Sequence, residues 1–509
     1  MGELGVRRRH PPVESDHFST VARLRRDEQP ALEPQTLRLE AECVRVAGGE
    51  RVLDTGERRP TPSGRRVEER PYLVEERNEV GARRGRHPLA IIQVWQRNSM
   101  GRPAHFAAAR GPSLLAVIAA LALALVLTPV ALGSPLTKRL ASALAVPNLD
   151  HARSAAVALD LRTGKVVFSR NSTLALLPAS NEKLPVAYAS LKELGPRFRF
   201  STEALGAGAL DGATWRGDLI LKGFGDPSLA IADLDELAAQ VREFGVTNVT
   251  GAVLGDESYF DPLRTGPGWK ASFYVDESPP LSALVAERGK YRGRTPRSPA
   301  LAAASLFRQA LERAGVTVAK RTRVGVAGPE AVPIAIHLSR PLRELVRFMG
   351  RESDNFTAEM LVKSLGAQAR GIGSTAAGVA AIRASLAAAG VPLAGVRLAD
   401  GSGLSQLDRL TAASLVRLLE AAYADPAVRE PFVASLAVAG VDGTLEDRME
   451  SAPARGRVVA KTGTTDASSA LSGFVRDRYA FAIVHNGRPV SSWWARSAQD
   501  RFATALARE

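Results

Sequence analysis

Apolar residues show no period from Met1 to about Gly111. They run unbroken from Ser113 to Val130, then settle into short blocks of strand and helix spacing that continue to the end of the chain. The pattern predicts a short helix over 134–145 and a hairpin from two strands, 154–161 and 166–169, joined by the turn Arg162-Thr163-Gly164-Lys165. A helix follows from Pro178-Ala179 to about 194, with Pro185 in its first turns, where a missing N–H is tolerated. Between 196 and 333 the spacing is mixed. Strands are expected at 198–204, 218–221 and 249–254, and helices at 231–244 and 299–314. Turns are expected at Gly223-Phe224-Gly225-Asp226-Pro227 and Gly266-Pro267-Gly268. This reads as an inserted α+β subdomain, or two small ones. Helices at 341–350, 355–365, 374–389 and 411–424 come next. A strand at 458–460 ends in Lys461-Thr462-Gly463-Thr464, strands follow at 471–475 and 479–485, and a helix at 497–507 closes the chain. Two strands early, three late and helices between predict an α+β fold. Its antiparallel sheet joins the first and last strands and is flanked by an all-helical part. The expected divisions are 1–111, 112–133, 134–195, 196–333 and 334–509.

The front of the chain differs in kind. Region 1–111 is rich in arginine, proline and glutamate, and the first lysine is Lys138. Such a composition buries too little apolar surface to offset chain entropy. It reads as a disordered tail, or as sequence upstream of a true start at Met100. Segment 113–130 is an uncharged run of about eighteen apolar residues, long enough for a membrane span. Ala131-Leu132-Gly133 then offers the small residues of a signal cleavage site. From Met100 the segment is a signal peptide; from Met1 it is an anchor in the cytoplasmic membrane. Either way everything after Ser134 is exported, to the outer face of that membrane or the cell wall.

Composition narrows the remainder. The net charge is +14, spread in arginines over the chain, with no nucleic-acid-binding pattern. The one cysteine, Cys43, permits no internal disulfide. The seven histidines form no metal-spaced pair, and no glycine-rich phosphate loop is present.

The chemistry begins at Ser180-Asn181-Glu182-Lys183. Positions three apart share a helix face, so the Lys183 amine can reach the Ser180 hydroxyl. A serine needs a base to become a nucleophile, and a lysine serves when burial or a nearby cation keeps it partly neutral. With ten lysines in the chain, Ser-x-x-Lys should still arise by chance roughly once. Order supplies the discrimination: Ser353-Asp354-Asn355 and Lys461-Thr462-Gly463 follow. The set resembles the penicillin-recognising serine acyltransferases. Further segments sharpen the likeness: Leu177-Pro178-Ala179-Ser180, Gly225-Asp226-Pro227-Ser228-Leu229, Glu352 through Glu359, Asp400-Gly401-Ser402-Gly403-Leu404-Ser405, and Gly440-Val441-Asp442-Gly443-Thr444-Leu445. Together they are similar to D-alanyl-D-alanine carboxypeptidases/endopeptidases of the DacB type, low-molecular-mass penicillin-binding proteins. The likeness runs from about Ser134 to the C-terminus. One departure stands out. Ser282-Ala283-Leu284 is followed by Val285-Ala286-Glu287-Arg288-Gly289, where the family shows an asparagine-rich stretch.

The resemblance implies a β-lactamase/transpeptidase-like domain and a division of labour. Ser180 attacks the carbonyl between two D-alanines of a peptidoglycan stem peptide, and Lys183 takes its proton. Lys461 lowers the proton affinity of Lys183 and attracts the substrate carboxylate. Ser353 relays the proton to the leaving nitrogen, and Asn355 holds Lys183. Thr462 binds the terminal carboxylate. Gly463 lets the strand approach the substrate, and the N–H groups of Ser180 and Thr464 form the oxyanion hole. β-Lactams inhibit by acylating the same serine, and no metal or organic cofactor is called for. Two other readings compete. A β-lactamase of the best-known class needs a glutamate after Ser-Asp-Asn to activate water, and none lies between Glu359 and Glu420. A non-catalytic peptidoglycan-binding protein would not need the serine and both lysines.

Overall fold

The computed structural model describes residues 134–509. The expected tail, leader and 113–130 span lie outside the described residues. Among the described residues no helix is long and apolar enough to cross a membrane.

Ten α-helices are described here: α1 (Pro135–Ala143), α2 (Lys183–Glu193), α3 (Ile231–Glu243), α4 (Pro299–Arg313), α5 (Leu342–Arg351), α6 (Asn355–Arg370), α7 (Thr375–Ala388), α8 (Ala412–Ala424), α9 (Arg429–Ala434) and α10 (Ser492–Ala507). The strands of the first sheet are β1 (Ser154–Asp160), β2 (Lys165–Arg170), β10 (Ala437–Val438), β11 (Val458–Thr465), β12 (Ser468–Val475) and β13 (Tyr479–Asn486). Their order is β10-β11-β12-β13-β1-β2. The expected closure is present: β1 pairs antiparallel with β13, from Ser154 opposite His485 to Asp160 opposite Tyr479.

β1 is buried along its whole length, because both faces of the sheet are covered. Ala156 and Ala158 face a core built with Leu136 and Leu140 of α1 and Phe502 of α10. Ala155, Val157 and Leu159 face a larger core from α2, α5, α6, α7 and α8. A doubly covered strand reads as a continuous apolar run, which is why 154–161 shows no alternation. Phe502 sits edge-on to Phe168, with centroids 5.4 Å apart, and burial of such a ring stabilises the fold by about 2 kcal/mol. Helix α2 is buried on all sides from Lys183 to Leu191. It is the pillar on which the first site motif stands.

The second sheet comprises β3 (Ser201–Asp211), β4 (Thr214–Gly223), β5 (Asn248–Val249), β6 (Val253–Asp256), β7 (Thr317–Val318), β8 (Arg323–Val324) and β9 (Val332–Leu338). It carries α3 and α4 over one core, with Trp215, Leu237 and Phe307. β9 returns beside β3, pairing Leu338 with Ser201. The insert therefore runs on to Leu338, and the expected boundary at 333 falls inside β9.

β3 continues well past the expected end at 204. Gly208 faces Gly217 across the hairpin, with φ of 144° and 147°. A Cβ on Gly208 would lie 2.1 Å from the Arg216 carbonyl oxygen, so the glycines permit this close crossing rather than end the strand. The expected helix from 178 to 194 is two pieces. A short 3₁₀ turn, Ala179–Glu182, precedes α2, and Ala179 takes the left-handed conformation at φ 47°.

Candidate active site

Ser180 lies in the 3₁₀ turn at the head of α2, and the turn is tied down on three sides. Leu177 donates its N–H to Asn486 Oδ1 at 2.9 Å and accepts at its carbonyl from Ser468 Oγ at 2.6 Å and Asn486 Nδ2 at 3.0 Å. Asn181 Nδ2 donates to the Lys461 carbonyl on β11 at 2.9 Å. A non-glycine residue in the left-handed region costs on the order of 1–3 kcal/mol, and such strain persists only where the surroundings fix it. Ala179 pays this to lift Ser180 to the cleft.

Lys183 is 1% exposed. Its Nζ donates to Ser180 Oγ at 3.0 Å, Asn355 Oδ1 at 2.8 Å and the Ser402 carbonyl at 2.7 Å. Three acceptors match the three hydrogens of an ammonium. Burial lowers the Lys183 pKa to about 8, against the pull of Asp400, Asp354, Glu359 and Glu182, which raise it. When the amine is neutral, Asn355 and Ser402 keep the two remaining hydrogens. The lone pair then faces Ser180. Asn355 opens α6, and its Nδ2 donates to the Glu277 carbonyl at 3.0 Å.

The Lys-Thr-Gly motif lies inside β11, which runs on to Thr465, rather than at the strand's end. The Val458 carbonyl accepts from Ala439 N–H on the β10 side, and β10 pairs β11 only at Val459 and Ala460. By strand alternation Thr462 and Thr464 present their backbone N–H and C=O groups along that same edge, beyond the last pair. Gly463 faces the Ser180 turn. A Cβ there would lie 2.9 Å from the Pro178 carbonyl oxygen and 3.1 Å from Ser180 N. Its smallness serves the approach of strand to turn.

Lys461 is 1% exposed, and its Nζ donates to the Thr462 carbonyl at 3.0 Å. Its pKa is lowered strongly, first by burial and then by the charge of Lys183. Burial is likewise the leading cause at Lys183. The lowering at Lys183 therefore comes from its own burial, and the charge effect between the two lysines falls on Lys461.

A cleft of about 530 Å³ brings Ser180, Ser353, Asn355, Thr462, Gly463 and Thr464 together. Lys183 and Lys461 are buried beneath its wall. Ser353 sits at φ 58° in the connection between α5 and α6. Asp354 caps α6 by accepting from Thr357 N–H at 2.7 Å and pairs with Arg288. Capping and site-building are both done by the same three residues. The stretch after Ser282-Ala283-Leu284 therefore contributes Arg288 to the support of this motif.

The cleft also contains residues not singled out beforehand: Glu277, Thr444, Arg448 and Arg496. Thr444 and Thr462 hydroxyls lie 2.8 Å apart. Gly443-Thr444 belonged to a segment of the resemblance, which was the only signal available. Arg496 stands on a terminal helix and left none.

A profile of the D-Ala-D-Ala carboxypeptidase 3 (S13) family matches residues 136–297 and 288–509. The chain belongs to that family. A D-alanyl-D-alanine carboxypeptidase from Actinomadura sp. (strain R39) is 34% identical, covering 71% of this chain and 82% of the relative. A carboxypeptidase from Mycobacterium tuberculosis is 31% identical, covering 74% and 84%. Crystallised penicillin binding protein 4 (dacB) from Haemophilus influenzae shares the fold. Its TM-score is 0.64 at 22% identity, over 73% of this chain and 98% of that one. As an S13 member the chain is a serine carboxypeptidase of the penicillin-binding, peptidoglycan-acting class. The α+β transpeptidase-like fold and the enzyme class expected from sequence both stand.

Proposed function

We propose that the chain hydrolyses the terminal D-alanyl-D-alanine bond of peptidoglycan stem peptides through an acyl-enzyme on Ser180. The supporting observation is the Lys183 amine, whose two other hydrogens are committed to Asn355 and Ser402 while it faces Ser180 Oγ. Neutral Lys183 takes the Ser180 proton as Oγ attacks the carbonyl carbon of the penultimate D-alanine. The oxyanion forms against the N–H groups of Ser180 and Thr464; one such donor is worth about 3 kcal/mol. The proton passes through Ser353 to the departing nitrogen, and D-alanine leaves. Water then attacks the ester, giving a proton back along the same route, and frees Ser180. Thr462 and Thr444 hydroxyls, with the Arg496 cation, receive the terminal carboxylate. Lys461 stiffens the floor beneath Thr462.

Cross-linked peptides enter by the same chemistry, with a longer leaving group, so endopeptidase activity belongs to this reading. β-Lactams acylate Ser180 and are released slowly. The site faces peptidoglycan because the 113–130 segment exports the chain, as a cleaved signal or as an anchor; N-terminal sequencing of the exported protein separates the two. The decisive assay is stable labelling by a fluorescent penicillin, alongside D-alanine release from a peptide ending in D-Ala-D-Ala. Ser180→Ala is expected to abolish both. Persistent labelling of Ser180→Ala would sink the assignment.

A further inference from the structure

Four carboxyl side chains are shut away from solvent near Lys183: Glu182 at 1% exposure, and Glu359, Asp400 and Asp408 at 0%. Four acids beside one lysine cannot all be charged in a dry interior. The hydrogen bonds distinguish them. Asp400 accepts from four donors: Gly403 N–H at 2.8 Å on Oδ1, and Ser405 N–H at 2.8 Å, Trp269 Nε1–H at 2.8 Å and the Ser402 hydroxyl at 3.1 Å on Oδ2. Both of its oxygens act as acceptors, an arrangement that suits a carboxylate. In each of the other three, one oxygen meets no donor among the described residues: Glu182 Oε2, Glu359 Oε2 and Asp408 Oδ2. An oxygen without a donor is the natural seat of a carboxylic proton. Burial acts in the same sense, pushing Glu359 up to about 8, Asp408 up to about 12 and Glu182 well above the usual range.

Asp400 shapes the loop that follows it. Its two oxygens gather Ser402, Gly403 and Ser405, while Glu359 Oε1 takes the N–H groups of Gly401 and Ser402 at 2.9 and 2.8 Å. The outcome is the Ser402 carbonyl 2.7 Å from Lys183 Nζ. Gly403, at φ 82°, presses the loop against the Ser180 turn; a Cβ there would lie 1.9 Å from the Ala179 carbonyl oxygen. The charged and titratable groups facing Lys183 are Asp400, Asp354, Glu359 and Glu182, in that order of effect, and Lys461 across from it.

We propose that Asp400 is a positioning residue for the general base: it folds the loop that aims the Ser402 carbonyl at Lys183, and its acid charge bears on that amine. The inference rests on Ser180 and Lys183 being the acylating pair. The test measures the rate of Ser180 acylation by a fluorescent penicillin against pH, in the whole protein, for wild type, Asp400→Asn and Asp400→Glu. Thermal melting confirms that each is folded. Asp400→Asn removes a charge that holds the proton on Lys183, so the acid limb should move down by about one pH unit. Its plateau should fall about tenfold as the loop loosens. Asp400→Glu keeps the charge but not the fit: the plateau falls while the acid limb stays. A folded Asp400→Asn with the wild-type limb would overturn the proposal, as would Asp400→Glu with a displaced limb. Should Asp400→Asn fail to fold, the limb of Asp400→Glu decides. Wild type that takes no label strikes instead at the acylating pair itself.

Discussion

Gly463→Ala isolates the contact between β11 and the Ser180 turn. The added Cβ would meet the Pro178 carbonyl oxygen at 2.9 Å, Ser180 N at 3.1 Å and Ala179 Cβ at 3.2 Å. Two of these atoms are backbone and the third is a methyl fixed to it, so none can rotate away. The turn itself is held by Asn486, Ser468 and Asn181. Either strand or turn must shift by a few tenths of an ångström. Overpacking of this kind costs about 1–3 kcal/mol of stability, which leaves the protein folded. The catalytic cost is larger because the displaced atom, Ser180 N, is one of the two proposed oxyanion donors. Removing such a donor costs about 3 kcal/mol, roughly a hundredfold in rate. The expectation is therefore a modest drop in melting temperature with roughly a hundredfold slower acylation by a fluorescent penicillin, read by stopped flow. Acylation within about threefold of wild type, in a folded variant, would refute the idea that glycine is needed for the turn.

Two further outcomes follow from the same geometry. Lys183 acts as a base only when neutral, and burial lowers its pKa to about 8, so the neutral fraction is about a tenth at pH 7 and rises with pH. Acylation should climb about tenfold per pH unit up to about 8 and then level; a flat profile between about pH 6 and 9 would refute Lys183 as the base. Arg496 lines the cleft and is proposed to meet the substrate carboxylate. Arg496→Ala should raise KM for a D-Ala-D-Ala peptide several-fold with little change in kcat, and a kcat loss at constant KM would count against that role.

Much of the central sheet could be read from sequence because its edges are simple. The 154–161 run and the 479–485 run are apolar, bounded by turns and buried on both faces. The insert was harder, and the reasons are local. Gly206 and Gly208 look like strand breakers, yet in β3 they make room for Trp215 and for the Arg216 carbonyl. β9 carries Pro333 near its start and is half exposed, so it lacks both the unbroken pairing and the apolar alternation that mark a strand. β5, β7 and β8 are two residues each, too short for any periodicity to register.

The site divides along a different line. Ser180, Lys183, Asn355 and Thr462 are recognisable because each must be one residue type at one spacing, and spacing survives in a sequence. What suits Lys183 to its proposed role as base is not written that way. Its lowered pKa comes from burial, and its aim comes from a carbonyl, Ser402, whose identity as an amino acid matters less than its place. That place is enforced by Glu359 and Asp400, distant in sequence from Lys183 and from each other. Asp400-Gly401-Ser402-Gly403 resembles any polar turn until the donors around its carboxylate are counted. Backbone acceptors and buried acids are chosen by the fold, so a motif names the reacting atoms but not the field they work in. In the proposed mechanism the field is where the serine acquires its reactivity. The same Ser-x-x-Lys pair on an exposed helix would keep its lysine fully protonated, and its serine would be inert.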